Sequence, residues 1–260
     1  MRVFKASRFT GNLAVVLSFF FLFQTSAATV DFINDVMPIL SRLGCNGSSC
    51  HGKAEGQNGF KLSVFSHDPE GDFRALTMES RGRRISPAVP ADSLLLRKIT
   101  GEVGHGGGIR TAKGSKPYNV FCDWIKDGMA FEILKRPTLI KIRLEPARNV
   151  MKFGARQPLK VIAEFSGGKK KDVTWLSVFH SNDKNMANVA NDGVVTIGDA
   201  VGQTSVMARY LGKVAVFQAI IPRPGAAVAY PKMPVNNFID GLVDKNLKRL
   251  NIAPSEMADD

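Results

Sequence analysis

The apolar positions of the chain change period once, near Arg136-Pro137. Before that point they recur at helical spacing. Phe32, Ile33, Val36, Met37, Ile39, Leu40 and Leu43 predict a helix over 30–43 with Asp31 as its N-cap, and a second helix is expected over 94–99. Tyr118, Phe121, Cys122, Ile125 and Met129 mark one face of a third, over 118–129. After the change, residues 140–144, 159–165 and 214–221 alternate or run apolar over strand lengths. Gly167-Gly168, Asp192-Gly193 and Gly202 punctuate them, which predicts an all-β sandwich over 137–222. The proline-containing stretch 223–235 reads as a linker. Phe238, Leu242, Val243, Leu247 and Leu250 then mark one more amphipathic helix within 236–260, whose apolar face the last ten residues cannot cover. That helix is expected to belong to a further domain or to meet a partner.

Residues 1–28 have the three parts of a secretory leader: a basic MRVFKASRF stretch, an apolar core over 13–23, and the small residues Thr25, Ser26, Ala27 and Ala28. The apolar core is shorter than the roughly 20 residues a membrane helix needs. Cleavage would leave an extracytoplasmic chain, periplasmic or secreted to the cell surface, with no membrane span. The 260 residues leave room for two domains of ordinary size. Of the formal charge of +12, Arg2, Lys5 and Arg8 lie in the leader, which leaves about +9 for the mature chain. This excess is scattered and lacks interleaved aromatics, so it reads as a solvated basic surface and argues against nucleic acid as the partner.

The densest chemistry lies in Gly44-Cys45-Asn46-Gly47-Ser48-Ser49-Cys50-His51-Gly52. Two thiols followed at once by an imidazole supply, in order, what covalent haem attachment needs, although the usual spacing between the cysteines is two residues and here it is four. A disulfide between Cys45 and Cys50 is the competing reading in an oxidising compartment. Zinc is disfavoured, because no second Cys or His pair stands at ligand spacing. A haem held by His51 on one side needs a ligand on the other. His105, flanked by glycines in Gly104-His105-Gly106-Gly107-Gly108, is the first candidate. Met78 and Met129 are its rivals. Arg110 and Lys113 could neutralise acid groups of such a ligand, and Cys122 on its helical face reads as a buried thiol.

The stretch LGCNGSSCHGKAEGQNGFKLSVFSHDPEGDFRAL, continuing through RGRRISPAVPADSLLLRKITGEVGHGGGIR to YNVFCDWIKDGM, resembles the planctomycete-type cytochrome c domain. In that family the wider cysteine spacing is itself a feature; Ser48 stands where glycine is expected. The residues from Leu139 to Pro222 are similar to group-two bacterial Ig-like domains, through the Asp172-Val173-Thr174 step, the Asp192-Gly193-Val194-Val195 turn and the Gly202-Gln203-Thr204 strand start. NNFIDGLVDKNLKRLNIAPSEMADD resembles the opening helix of the secreted domain of unknown function that follows in such proteins.

The resemblance implies a multidomain chain, a mainly α cytochrome c-like domain followed by an all-β Ig-like sandwich. Its parts are a leader (1–28), a haem domain (29–135), an Ig-like domain (137–222), a linker (223–235) and the first helix of a truncated domain (236–260). It further implies an exported electron-transfer module with haem c as cofactor, Cys45 and Cys50 as covalent anchors, His51 as proximal ligand and His105 as distal ligand. Catalysis by this chain is not expected, and the redox partner is unknown. The alternative is a non-redox cell-surface protein with a disulfide-closed first domain, binding protein or glycan through its Ig-like half. In that reading the basic hairpin Lys169-Lys170-Lys171 is one feature that could meet an acidic polymer.

Overall fold

The computed structural model describes Met1 and residues 30–134, 136–231 and 234–255. The leader expected over 1–28 therefore lies, apart from Met1, outside the described residues. From Asp31 the chain enters a π-helical turn, Phe32–Val36, capped by the Asp31 carboxylate, which accepts the Asn34 amide at 2.5 Å. The turn continues into α1, Met37–Arg42, where Pro38 occupies the first turn, a position with no amide to lose. Three further short helices follow: α2 (Pro69–Thr77), α3 (Leu94–Ile99) and α4 (Lys116–Lys126). Their connections pass through glycines at positive φ, among them Gly44, Gly56, Gly82 and Gly101, where a helix cannot continue.

Ten strands follow, arranged in three sheets. The antiparallel sheet β1-β4-β5 joins β1 (Leu139–Glu145), β4 (Lys160–Phe165) and β5 (Lys170–Asp172). A second sheet runs β2-β10-β9-β6, with β2 (Arg148–Val150) parallel to β10 (Lys213–Ile221), and β9 (Gly202–Tyr210) and β6 (Val178–Ser181) antiparallel. The third sheet is β3-β8-β7, formed by β3 (Arg156–Pro158), β8 (Val194–Ile197) and β7 (Ala187–Val189). Alternation sets what is buried. Thr204, Val206, Ala208 and Tyr210 point inward from β9, with Val206 opposite Phe217 and Ala208 opposite Ala215. Ile142 and Leu144 do the same from β1, opposite Ala163 and Val161.

The expectation of a mainly α first domain followed by a separate all-β sandwich is corrected. The four helices before residue 130 are 6 to 11 residues long and are joined by irregular segments, so no helical bundle forms there. The helix expected over 30–43 is divided, and the one expected over 118–129 stops at Lys126 because Gly128 and Met129 take positive φ. Buried apolar side chains instead form one cluster reaching from Phe32, Trp124 and Phe121 through Leu144 and Val161 to Phe217 and Ile221. Phe32 packs against Trp124 at 5.2 Å and edge-on to Phe73 at 5.3 Å, in the first part of that cluster.

Polar contacts bind the helical part to the strands at several points. Tyr210 donates its hydroxyl to the buried Asn34 carbonyl at 2.7 Å, and Lys171 meets Asp35 at 2.6 Å. From α1 the Arg42 guanidinium donates to the Ser177 and Asn191 carbonyls, both at 2.8 Å. Arg209 stacks over Phe65, and Lys116 over Trp175. Lys171, one of the three hairpin lysines, is thus already paired within the chain.

At the far end, α5 (Phe238–Arg249) opens on a capping box formed by Asn237 and Asp240. It docks through Leu250, which is buried and accepts the Arg223 amide at 2.9 Å. Phe238, Ile239, Leu242 and Val243 stay exposed.

Tyr210→Phe strands the Asn34 carbonyl without its donor. The expected loss is about 1–3 kcal/mol, read as a lower midpoint in urea unfolding.

Candidate functional site

Gly44, at φ 75°, turns the chain out of α1 and sends Cys45 back under it, where the Cys45 amide donates to the Leu40 carbonyl at 2.8 Å. The loop then closes on itself. His51 donates its amide to the Cys45 carbonyl at 3.0 Å, Gly52 donates to Gly47 at 3.0 Å, and Leu62 donates to His51 at 2.8 Å. A Cβ at Gly52 would stand 2.1 Å from the Asn46 carbonyl oxygen, so the crossing needs glycine. Asn46, itself buried, donates its amide to Ser41 Oγ at 2.8 Å and to the Ser63 carbonyl at 3.1 Å. Ser63 is held in turn by the buried Asp72 carboxylate, which accepts its amide at 2.6 Å and its hydroxyl at 2.7 Å. Burial raises the Asp72 carboxyl above its ordinary value, and the two Ser63 bonds oppose that.

Cys45, Cys50, His51 and His105 all line one cavity of about 580 Å3. Leu40, Leu95, Ile99 and Phe60 supply its apolar wall. His51 and His105 present their rings nearly parallel, 10° apart in plane with centroids 6.2 Å apart. Their hydrogen bonds fix the tautomers. Nδ1 of His51 lies 3.0 Å from the Phe60 carbonyl oxygen and Nδ1 of His105 lies 3.0 Å from that of Gly108. A carbonyl only accepts, so Nδ1 carries a proton in both rings, and in the neutral form of each Nε2 keeps its lone pair. Burial, together with the positive charges of Arg84 and Lys98, holds the His51 imidazole below its ordinary pKa and so neutral at physiological pH.

The sulfurs differ. Cys45 is buried and its thiol is pushed up to about 12 by desolvation, which Arg110 only partly offsets. It therefore stays a neutral thiol, a poor metal ligand and a poor nucleophile. Cys50 is half-buried, with the Arg110 guanidinium 3.7 Å from its Sγ. Cys45, Cys50 and Cys122 are all free thiols, so no disulfide closes the first part of the chain and that expectation is corrected. Cys122 is half-buried rather than enclosed.

Arg83, Arg84, Lys98 and Arg110 bring four cations to the cavity, and no aspartate or glutamate is among the described residues that line it. Arg84 is buried without a carboxylate partner. It donates to the carbonyls of Ala75 at 2.7 Å, Glu79 at 3.1 Å and Gly59 at 3.0 Å, and stacks over Phe60. Lys98 ties down the Gly104 carbonyl at 2.7 Å, steadying the loop that carries His105. Lys113 pairs with Glu102, and neither Met78 nor Met129 lines the cavity. Sequence reasoning picked Arg110 and passed over Arg83, Arg84 and Lys98. The available signal was the run Arg81-Gly82-Arg83-Arg84, with no acidic residue inside it.

No family model matches the chain, and no curated protein matches it. Parts of it are similar to solved structures of an S-layer protein, SbsC. Domains 4 and 5 of that protein are 20% identical over 33% of this chain and 53% of theirs, with a TM-score of 0.29. The SbsC fragment 31–844 is 20% identical over 36% of this chain and 14% of its own length, at a TM-score of 0.30. For domains 5–6 the values are 20%, 36%, 48% and 0.30. This chain thus spans about half or less of each. The resemblance to a planctomycete-type cytochrome c domain is corrected: no family model supports it. The expected role as a metal-binding electron-transfer cytochrome is corrected with it, since no group of three or more His, Cys, Asp or Glu side chains is gathered as a metal site among the described residues. Among those residues, too, no helix is long and apolar enough to cross a membrane.

The unequal burial of the two sulfurs predicts that iodoacetamide at pH 8 labels Cys50 in the reduced native protein and leaves Cys45 unmodified, as read by peptide mass spectrometry. In denaturant both should label.

Proposed function

We propose that the chain is an exported cell-surface binding protein without redox chemistry of its own, whose strands form a rigid mount for the ligand seat between His51 and His105. The observation that carries this reading is the charge of the cavity: four cations and no carboxylate around an aliphatic wall. A cluster of that kind is self-repelling until an anion enters, so the seat favours a ligand with an apolar body and acidic groups. Its place outside the cytoplasm rests on the leader read in residues 1–28. The test is equilibrium titration with anilinonaphthalene sulfonate, an aromatic anion. Arg83→Glu with Arg110→Glu should weaken binding about tenfold or more, the effect of losing charge-assisted contacts, while Lys169→Ala with Lys170→Ala leaves it unchanged. Equal binding by all three proteins would refute the anionic seat.

A second reading concerns a cofactor, and the paired imidazoles favour it. Two imidazoles whose Nδ1 atoms are held by carbonyls present Nε2 as the remaining ring nitrogen to a metal, and a buried sulfur that stays uncharged suits a thioether better than a thiolate. On this reading Cys45 and Cys50 would hold haem c covalently, and His51 and His105 would bind its iron, which the group would supply to the cavity. The cations of the rim would face its acid groups. Intact mass of the exported chain, made in a host with a cytochrome maturation system, is expected to exceed the polypeptide by one haem and to lose that increment in Cys45→Ser with Cys50→Ser. The bare polypeptide mass for the wild type would sink the cofactor reading and leave the surface-binding one standing.

A further inference from the structure

We propose that Gly107 is the positioning residue of the cavity, and that its missing side chain sets where His105 and Arg110 stand. The four glycines around His105 are not equivalent. A Cβ at Gly104 or Gly106 would meet nothing within 4 Å, and neither residue has positive φ. Gly108 also has open space, but its φ of 72° makes it a backbone requirement. Gly107 alone of the four is crowded by side chains, whose ends a Cβ would push aside. A Cβ there would lie 2.9 Å from Cε1 and 3.3 Å from Nε2 of His105, and 3.2 Å from Nη2 of Arg110.

The backbone at Gly107 is not in the left-handed region, so alanine is tolerated there conformationally and the whole cost falls on the two side chains. Neither can yield without consequence. His105 is pinned through Nδ1 to the Gly108 carbonyl, one residue further on, so a ring pushed from Cε1 must give up that bond or tilt out of parallel with His51. Arg110, displaced at Nη2, leaves Cys50, which it meets through the same nitrogen at 3.7 Å. One methyl group therefore perturbs an imidazole and a cation of the seat together, and does so through them rather than by touching the ligand. The inference stands on the geometry of the loop and holds whichever ligand the cavity takes.

The experiment compares Gly107→Ala with Gly106→Ala in the full exported chain. Long-range proton–nitrogen correlation spectra of the histidine rings report the tautomers without any ligand. The wild type and Gly106→Ala should show His105 protonated at Nδ1, and Gly107→Ala should lose that signature while His51 keeps its own. Binding of anilinonaphthalene sulfonate should fall about tenfold in Gly107→Ala only, for loss of the Arg110 contact. A double-mutant cycle guards against general misfolding: the shift in unfolding midpoint caused by Gly107→Ala should shrink when His105 is already alanine. An unchanged His105 signature in Gly107→Ala, equal effects of the two alanines, or an additive cycle would overturn the assignment. If the wild type binds no probe, the proposed function fails, but the tautomer spectra still decide the role of Gly107.

Discussion

The first part of the molecule depends on one reversal of the backbone. Between Leu40 and Leu62 the chain turns twice, and the bonds that hold it run almost entirely between main-chain atoms: Cys45 to Leu40, His51 to Cys45, Gly52 to Gly47, Leu62 to His51. Backbone bonds of this kind are indifferent to side-chain identity, which leaves the cysteines and the histidine free to face the cavity. The constraint falls on the glycines. Gly44 supplies the left-handed turn, where a side chain is strained, and Gly52 the close crossing, where a Cβ would collide with the Asn46 carbonyl. The polar chain from Asn46 through Ser63 to Asp72 braces the loop from behind. It is buried and fully bonded, the condition under which an internal polar network rigidifies rather than weakens.

Electrostatics then gives the braced loop its direction. Arg84 is held by carbonyl oxygens and the Ser80 hydroxyl, and Glu79 lies near enough to favour its charge. Its neighbours Arg83, Lys98 and Arg110 add to the same field, and no acidic side chain lines the cavity among the described residues. A field of one sign in a partly enclosed space lowers the cost of bringing in an anion and raises that of protonating an imidazole there. Both effects act in one sense: the His51 ring stays neutral, its Nε2 lone pair stays available, and the compensating charge must come with the ligand.

Much of the strand pattern was legible in the sequence, because alternation and burial are the same fact seen twice. The apolar positions 140–144 lie in β1, and 214–221 in β10. Asp31 as a cap was legible for a local reason, the reach of a carboxylate to an amide three residues on. The division of the first helix was not. A π-helical turn of five residues is too short to alter the apolar spacing visibly, and Phe32 within it packs against Phe73, Trp124 and Phe131, far away in sequence. The gathering of His51 and His105 in one cavity could be guessed from the chemistry of each but not from their separation. The cations of the wall were hidden for the opposite reason, since a run of arginines reads as solvated surface until Arg84 is seen turned inward under Phe60.

The mainly α domain expected for the first part fails on a matter of enclosure. Phe32, Phe73, Trp124 and Phe131 pack on one another within the first part, yet the buried apolar cluster does not end there. The strands extend it. Tyr210 reaches from β9 to the Asn34 carbonyl, Arg42 reaches from α1 to the turns at Ser177 and Asn191, and the apolar cluster runs through the junction without a break. A flexible tether would let the cavity sample every orientation relative to the sheets. A shared core removes that freedom at the moment of folding, so the direction in which the seat faces is as much a property of β9 and β10 as of the loop that carries the cysteines.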